Sequence, residues 1–178
     1  MKRNSPTVLL FAVLAFAASL ALAGQTPNLP FGTWSRVSSE PILSPQDATW
    51  ESAGTFNPAV ILHNGKIVML YRAQDAAGTS RLGYAESTDG IHFTRRSEPA
   101  LSPEADYEKD GGVEDPRLQK FGDSFYLTYT GYNKKDAQLC LATSRDLIHR
   151  ERKGVILPAY KGNWKDQDRK STRLNSSH

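Results

Sequence analysis

Residues 57–71 read NPAVILHNGKIVMLY, and residues 115–129 read DPRLQKFGDSFYLTY. The two stretches align without a gap at an offset of 58 residues. A second pair follows, because LGYAESTDGIH at 82–92 matches LCLATSRDLIH at 139–149 at an offset of 57. Three proline-containing segments, at 41–45, 99–103 and 155–158, resemble copies of one closing element. The chain therefore contains an internal repeat.

Each repeat unit is predicted to form four short strands. The first two strands meet at a tight turn, Asn64-Gly65 in one copy and Gly122-Asp123 in the other, and Asn-Gly between apolar stretches is a strong hairpin signal. Residues after each turn alternate with the period of a strand. We expect third strands at 81–86 and 138–143, and fourth strands at 94–96 and 151–153. In the turns before the fourth strands, Ser and Asp are expected to bond the local backbone.

A repeated four-stranded unit of this length is typical of a β-propeller blade. The sequence therefore predicts an all-β propeller, of which about two to three blades are present. A β-sandwich with similar hairpins is the alternative, and the gapless offset disfavours it. Because propellers close with about four to eight blades, we expect the chain to be truncated. The predicted divisions are a signal peptide at 1–23, a partial propeller at 24–165, and a polar tail outside the fold at 166–178.

The first residues have the features of an export signal. Lys2 and Arg3 precede an uncharged apolar run at 8–22, and residues 21–23 form a small-x-small cleavage site. The run is short for a membrane span, which needs about 20 residues. We expect an exported protein, periplasmic or secreted, that begins at Gly24 and has no membrane span after cleavage. An uncleaved N-terminal anchor is the alternative.

Composition excludes several classes of site. The net charge is only +3, much of it at the two ends, so no basic stripe predicts a nucleic acid partner. Cys140 is the single cysteine, which excludes an internal disulfide, and its leucine neighbours predict a buried thiol. Residues 106–111 begin like a calcium loop, but Arg117 stands where the twelfth-position Glu should be. We therefore expect no metal.

Equivalent positions of the two units are expected to converge. The first strand of each blade lines the central channel of a propeller, and Asn57 and Asp115 occupy the same place in the repeat. Each precedes a proline at a strand start, where proline costs no ladder bond and favours an extended backbone in the preceding residue. Both side chains should then point into one axial pocket.

The stretch GGVEDPR at 111–117 has the highest density of reactive side chains. Its glycines let the backbone turn sharply. Neighbouring strand residues face opposite ways, so Glu114 and Asp115 are not expected to form a catalytic pair. One should face the pocket and the other a structural partner, whereas Arg117 should lie on the side of Asp115. The alternative is a salt-bridged strand entry formed by Glu114, Asp115 and Arg117.

Between about residues 40 and 160 the chain resembles glycoside hydrolase family 130, the β-mannoside phosphorylases and related mannosidases. The matching stretches are FNPA at 56–59, LYRA at 70–73, SRLGYA at 80–85, GVEDPR at 112–117 and YLTYT at 126–130. Arg150 departs from the family pattern, in which Trp often stands directly after the residue equivalent to His149. The resemblance implies a five-bladed propeller and an inverting reaction. It also implies that Asp115 is the general acid, able to donate its proton through a sugar hydroxyl.

The resemblance also implies a set of sugar-binding residues: Asn57, Arg72, Arg81 and, as a less certain member, Arg117. An oligosaccharide or glycan is then the partner. No cofactor is implied, although inorganic phosphate is the co-substrate of the phosphorylase members. Groups that bind phosphate or activate water are expected in later blades, so phosphorolysis and hydrolysis both fit. Export favours hydrolysis, because a sugar phosphate is most useful in the cytoplasm.

Three rival hypotheses stand beside this one. A related propeller glycosidase acting on arabinan, xylan or fructan would be expected to have an acidic residue where this chain has Asn57. A non-catalytic glycan-binding propeller would lose no measured activity on loss of Asp115. Finally, the 178-residue polypeptide itself could be inactive, since two or three blades cannot close a ring.

Overall fold

The structure is a computed structural model that describes residues 32–46 and 50–159. The predicted signal peptide and polar tail lie outside the described residues. The chain divides into two compact units, of which residues 32–39 belong to one and residues 40–46 and 50–159 to the other. All strands lie in the second unit. Within the described residues no helix is long and apolar enough to cross a membrane.

Eight strands form one sheet that contains both sequence repeats. The first repeat supplies β1 to β4, the second supplies β5 to β8, and a short 3₁₀ turn at Asp106–Glu108 lies between them. The strands are β1 Gly54–His63, β2 Lys66–Gln74, β3 Ser80–Ser87, β4 Thr94–Arg95, β5 Gly112–Phe121, β6 Ser124–Tyr132, β7 Ala137–Ser144 and β8 Arg150–Leu157. Over the described residues, the prediction of an all-β fold is confirmed, and the arrangement agrees with part of a propeller.

Pairing within each repeat is antiparallel, and pairing between the repeats is parallel. The sheet order is β1-β2-β3-β5-β6-β7-β8, and β4 pairs with β3 outside this order, at Ala85 and Glu86. β3 and β5 meet at a single parallel pair, Ser80 with Gly112. The sheet pairing between the two repeats is therefore confined to one narrow seam, close to the start of the first strand of the second repeat.

The predicted hairpin turns are confirmed. Asn64 and Gly65 have φ values of +49° and +74°, and positive φ at both positions is what a type I′ turn requires. Gly122 has φ +59° in the equivalent turn. Because the turn geometry fixes the register of a hairpin, residues 54–74 and 112–132 fold into matching pairs of strands.

The turns that precede the fourth strands are held by side chains, as predicted. Asp89 Oδ1 accepts the amide N–H groups of Ile91 and His92, each at 2.8 Å. Asp146 Oδ1 accepts those of Ile148 and His149 at the same distance. The two turns therefore satisfy their backbone donors in the same way.

A single apolar cluster passes from one repeat to the other. Cys140 is fully buried in it, as predicted, and burial raises the pKa of its thiol to about 11. A thiol with this pKa is mostly protonated at neutral pH and is a poor nucleophile. The buried members of the cluster are Val68, Leu70, Leu82, Tyr84, Leu101, Val113, Phe125, Leu127, Tyr129, Cys140, Ala142 and Leu147.

Each repeat, together with the segment before its first strand, forms a Glu-Tyr-Arg triad in which the glutamate and the tyrosine are buried. In the second repeat, Glu108 Oε1 accepts hydrogen bonds from Tyr129 Oη at 2.7 Å and from Arg152 Nε at 3.2 Å. Glu51, Tyr71 and Arg95 form the equivalent contacts in the first repeat. Burial, reinforced by the bonded carboxylate, raises the pKa of both tyrosines above the usual value. Each triad therefore connects the fourth strand to the second strand and to the segment before the first.

Arg150 ties the closing segment of the first repeat to the second repeat. Its guanidinium donates hydrogen bonds to the carbonyls of Ala100 at 3.2 Å, Ile148 at 3.1 Å and Leu147. Burial, followed by the positive charge of Arg96, lowers its pKa to about 10. The position where the family pattern often has Trp is thus occupied here by a cation that satisfies backbone carbonyls.

Candidate active site

The residues before the two prolines lie in β-bulges. The register between β1 and β2 shifts between Phe56 and Ala59, and that between β5 and β6 shifts between Glu114 and Arg117. Asn57 and Asp115 have φ values of +46° and +49°. The predicted extended backbone at both positions is therefore wrong. Bulges take up residues that have no partner across the ladder, and Asn and Asp adopt the left-handed region more readily than most residues.

Asn57 and Asp115 meet, as their equivalent places in the repeat predicted. Asn57 Nδ2 donates a hydrogen bond to Asp115 Oδ1 over 2.6 Å. Asp115 is only 5% exposed, so its carboxyl is largely withdrawn from water. The two bulges place one amide and one carboxyl, each from the first strand of its repeat, in direct contact.

Arg72 on β2 bridges the neighbouring carboxylates Glu114 and Asp115. Its Nη2 lies 2.7 Å from Glu114 Oε1, and its Nη1 donates to Asp115 Oδ1 at 3.3 Å. The prediction that Glu114 and Asp115 face opposite ways is therefore wrong. That prediction assumed the regular alternation of a strand, which the bulge at this point interrupts.

Ser80 completes this network at the seam between the repeats. Its Oγ accepts hydrogen bonds from Arg72 Nε at 3.0 Å and Gln74 Nε2 at 3.4 Å, and donates one to Glu114 Oε1 at 3.2 Å. Ser80 is fully buried and pairs with Gly112. Sequence reasoning missed Ser80 and Gln74, although Ser80 begins one of the matching stretches.

The two other predicted sugar-binding arginines make different contacts. Arg81 Nη1 donates to Asp75 Oδ2 at 2.7 Å. Partial burial opposes ionisation of Asp75, but the hydrogen bond from Arg81, together with backbone amides, holds the pKa of Asp75 below its usual value. Arg117 Nη1 donates to the carbonyl of Pro116 at 2.8 Å. Asn57 and Arg72, by contrast, both contact the Asp115 carboxyl directly.

The family model that matches this chain is that of glycoside hydrolase family 130, described as beta-1,4-mannooligosaccharide phosphorylase. It matches residues 31–174. The chain belongs to glycoside hydrolase family 130. The resemblance seen in the five sequence stretches is thereby confirmed.

Two curated relatives and one solved structure show how far the similarity extends. The chain is 44% identical to a 1,2-beta-oligomannan phosphorylase of Thermoanaerobacter sp. (strain X514), over 68% of this chain and 45% of the relative. It is 35% identical to a beta-1,2-mannobiose phosphorylase of the same strain, over 68% of this chain and 46% of the relative. The chain spans about half the length of these relatives.

The solved structure is 39% identical, with a TM-score of 0.69, and the match covers 79% of this chain and 45% of that chain. It is described as showing that the family 130 mannoside phosphorylases contain glycoside hydrolases that target beta-1,2 mannosidic linkages in Candida mannan.

The Asp115 carboxyl of this family 130 chain is held in one orientation by directed donors. One guanidinium is shared by two carboxylates, so the cluster has one more carboxylate than cation. A carboxyl held by fixed donors keeps its orientation without reorganisation. Phe56, 40% exposed, lies 5.5 Å from the Arg72 guanidinium and presents an apolar ring beside Asn57.

Two grooves lie on other parts of the family 130 chain. An apolar groove of 230 Å³ borders Phe56 and Pro58 and is otherwise formed by Pro41, Ile42, Leu43, Thr55, Met69 and Tyr71. A polar groove of 710 Å³ lies against β6 to β8 and includes Tyr126, Asp146, His149 and Arg150. Neither is lined by Asp115, Arg72 or Glu114. Among residues 32–46 and 50–159, no group of His, Cys, Asp and Glu side chains has the geometry of a metal site.

Proposed function

We propose that the protein to which this chain belongs cleaves β-1,2-mannosidic linkages in oligosaccharides with inversion, and that Asp115 is the proton donor. The observation that carries this proposal is the carboxyl of Asp115, 5% exposed and bonded by Asn57 and Arg72 where the two repeats meet. A general acid must lie within hydrogen-bond reach of the oxygen that it protonates, and these fixed donors hold the Asp115 carboxyl in one orientation. Family membership supplies the reaction class.

The proposed whole protein is a five-bladed propeller. Residues 54–95 and 112–157 would be two of its blades, within a partial propeller at 24–165. Residues 1–23 would direct export to the periplasm or outside the cell, and residues 166–178 would lie outside the propeller. Support comes from the repeat itself and from relatives that are about twice as long as the matched segment.

The proposed substrate class follows from the relatives. Both Thermoanaerobacter relatives are named for β-1,2-linked mannosides, and the solved relative's description names the same linkage. The family model names the β-1,4 linkage instead. We choose β-1,2 because these relatives match the chain over two thirds or more of its length, at 35% to 44% identity.

In the proposed mechanism, Asp115 delivers its proton to the leaving oxygen, directly or through a sugar hydroxyl. Asn57 and Arg72 both bond to Oδ1, which fixes the carboxyl plane relative to the sugar. An inverting reaction needs the nucleophile on the opposite face, where water or inorganic phosphate attacks. The two relatives named as phosphorylases favour phosphate, whereas the proposed export of the protein favours water.

The test uses the complete product of the gene that encodes this chain, produced without residues 1–23. It is incubated with β-1,2-mannobiose, β-1,4-mannobiose and a mannosyl-N-acetylglucosamine disaccharide, each with and without phosphate. Mannose 1-phosphate formed only with phosphate identifies a phosphorylase, and free mannose in both conditions identifies a hydrolase. Asp115→Asn should abolish either product.

Asp123→Asn is the matched control, because Asp123 lies exposed in the turn at the far end of the same hairpin. It should keep the wild-type rate. Absence of product from every mannoside, with release of sugar from arabinan, xylan or sucrose, would replace the proposal by the rival glycosidase. Full activity of Asp115→Asn would remove Asp115 from the mechanism.

A further inference from the structure

We propose that Glu114, together with Ser80, is a positioning residue that acts on Asp115 through Arg72. The inference rests on the proposed function, because it assigns roles around the proton donor of that reaction. Glu114 and Ser80 would hold the guanidinium in place and take up its charge, so that Asp115 can carry the proton that it donates.

The geometry of Arg72 is the first support. All three nitrogens of its guanidinium have partners: Nε bonds Ser80 Oγ at 3.0 Å, Nη2 bonds Glu114 Oε1 at 2.7 Å, and Nη1 bonds Asp115 Oδ1 at 3.3 Å. A guanidinium is planar and rigid, so fixing two nitrogens fixes the third. Ser80 and Glu114 therefore determine where Nη1 meets Asp115.

Ser80 links these two partners to each other. Its hydroxyl accepts from Arg72 and donates to Glu114, and Gln74 donates to it as well, which uses its full hydrogen-bonding capacity. Ser80 is fully buried and Glu114 is 4% exposed, so water does not readily replace these contacts. The orientation of Arg72 is thus set by neighbours with little freedom of their own.

The division of charge is the second support. Arg72 lies closer to Glu114 than to Asp115, at 2.7 Å against 3.3 Å. A cation already paired with one carboxylate holds a second carboxylate in its ionised form less strongly. The other arginines near this site are engaged elsewhere, Arg81 with Asp75 and Arg117 with the carbonyl of Pro116. Glu114 therefore takes up much of the Arg72 charge that would otherwise act on Asp115.

A purely structural role for Glu114 makes a different prediction. Glu114 would then only join the repeats across the seam, and its loss would lower stability without altering the chemistry. Glu108 provides the matched control, because it is a fully buried carboxylate bonded to Arg152 and Tyr129 rather than to Arg72. Both Glu→Gln changes keep the shape of the side chain and replace a buried carboxylate by a neutral amide.

The experiment measures kcat and kcat/KM against pH for the complete gene product acting on β-1,2-mannobiose, with phosphate present and absent. The variants are Glu114→Gln, Ser80→Ala, Glu108→Gln and Asp115→Asn. We expect Glu114→Gln to lower kcat by about tenfold to a hundredfold, since Arg72 is misplaced. The alkaline limb of its profile should move to lower pH by about one unit, because the cation then favours ionised Asp115.

Ser80→Ala should change kcat in the same direction by a smaller factor, and it also serves if Glu114→Gln fails to fold. Glu108→Gln should lower the melting temperature while keeping the wild-type kcat and pH profile. A wild-type kcat and pH profile in both Glu114→Gln and Ser80→Ala, with Asp115→Asn inactive, would overturn the positioning role and leave the proposed function intact. Full activity of Asp115→Asn would overturn both.

Discussion

The amide of Asn57 donates a hydrogen bond to Oδ1 of Asp115 over 2.6 Å, and the two residues occupy the same place in successive repeats. Both have left-handed backbones, with φ of +46° and +49°. Non-glycine residues pay about 1–2 kcal/mol for this conformation, although Asn and Asp pay less than most. The contact therefore requires an energetically unfavourable backbone conformation at both residues.

Substitutions at Asn57 separate the effect of its side-chain hydrogen bond on activity from the effect of its backbone conformation on stability. We expect Asn57→Gly and Asn57→Ala to lose activity to a similar extent, about tenfold or more, because both remove the donor to Asp115. Asn57→Gly should be more stable than Asn57→Ala by about 1 kcal/mol, since glycine adopts positive φ without strain. Steady-state kinetics and urea denaturation of the complete gene product check the two effects. Equal stability of the two variants would contradict the strain at this position.

The buried triads predict a stability effect at a distance from Asp115. Tyr129→Phe removes the donor that bonds Glu108 at 2.7 Å and leaves that buried carboxylate with one partner fewer. We expect a loss of about 1–3 kcal/mol in the free energy of unfolding. Tyr126→Phe is the control, because Tyr126 is 40% exposed and should change stability by less than about 0.5 kcal/mol. Equal urea midpoints for the two variants would exclude the stabilising role of the triad.

The carboxylates in the turns before the two fourth strands, Asp89 and Asp146, should make the stability of the fold depend on pH. Hydrogen bonds from the His149 ring and from the amides of His149 and Ile148 hold the pKa of Asp146 well below its usual value of 3.8, and Asp89 has the same contacts. A lowered pKa in the folded state means that these carboxylates stabilise the fold above pH 3.8. Their contribution is lost as the pH falls below that value.

The double variant Asp89→Asn, Asp146→Asn should therefore be less stable than the wild type at neutral pH and lose less stability on acidification. Urea midpoints measured between about pH 2 and pH 7 test this. Asp123→Asn, at an exposed hairpin turn, serves as the control and should follow the wild-type curve. Parallel curves for the double variant and the wild type would show that the turns do not contribute.

Much of this fold could be predicted from the repeat alone. The Asn64-Gly65 turn, the strand alternation around it and the serine and aspartate turns are local signals, so each could be recognised within a few residues. The meeting of Asn57 with Asp115 also followed, because equivalent positions of a repeat occupy equivalent places. These inferences needed no knowledge of how one strand is registered against another.

The errors have a common physical cause. The left-handed backbone of Asp115, and the turning of Glu114 and Asp115 toward one arginine, both depend on a bulge between β5 and β6. A bulge is defined by the register of the partner strand, which local alternation does not contain. The burial of Glu108 depends in the same way on Arg152, a residue far along the chain. Such features appear only when the strands are brought together.

The seam between the repeats predicts a strong effect of a single added methyl group. Gly112 has φ +111°, and a Cβ there would lie 2.1 Å from the carbonyl oxygen of Ser80. We expect Gly112→Ala to cost about 2–4 kcal/mol of stability and to lower activity, because the backbone at Ser80 must move and Arg72 moves with it. Gly65→Ala is the matched control, since its φ is +74° but no atom beyond its two chain neighbours lies within 4 Å of the added Cβ. It should cost only about 1 kcal/mol, as backbone strain alone requires, and leave kcat unchanged. Thermal unfolding measures the loss of stability, and mannobiose turnover measures the loss of activity. An equal loss of stability in the two variants would show that the close approach to Ser80 adds no strain beyond that of the backbone conformation.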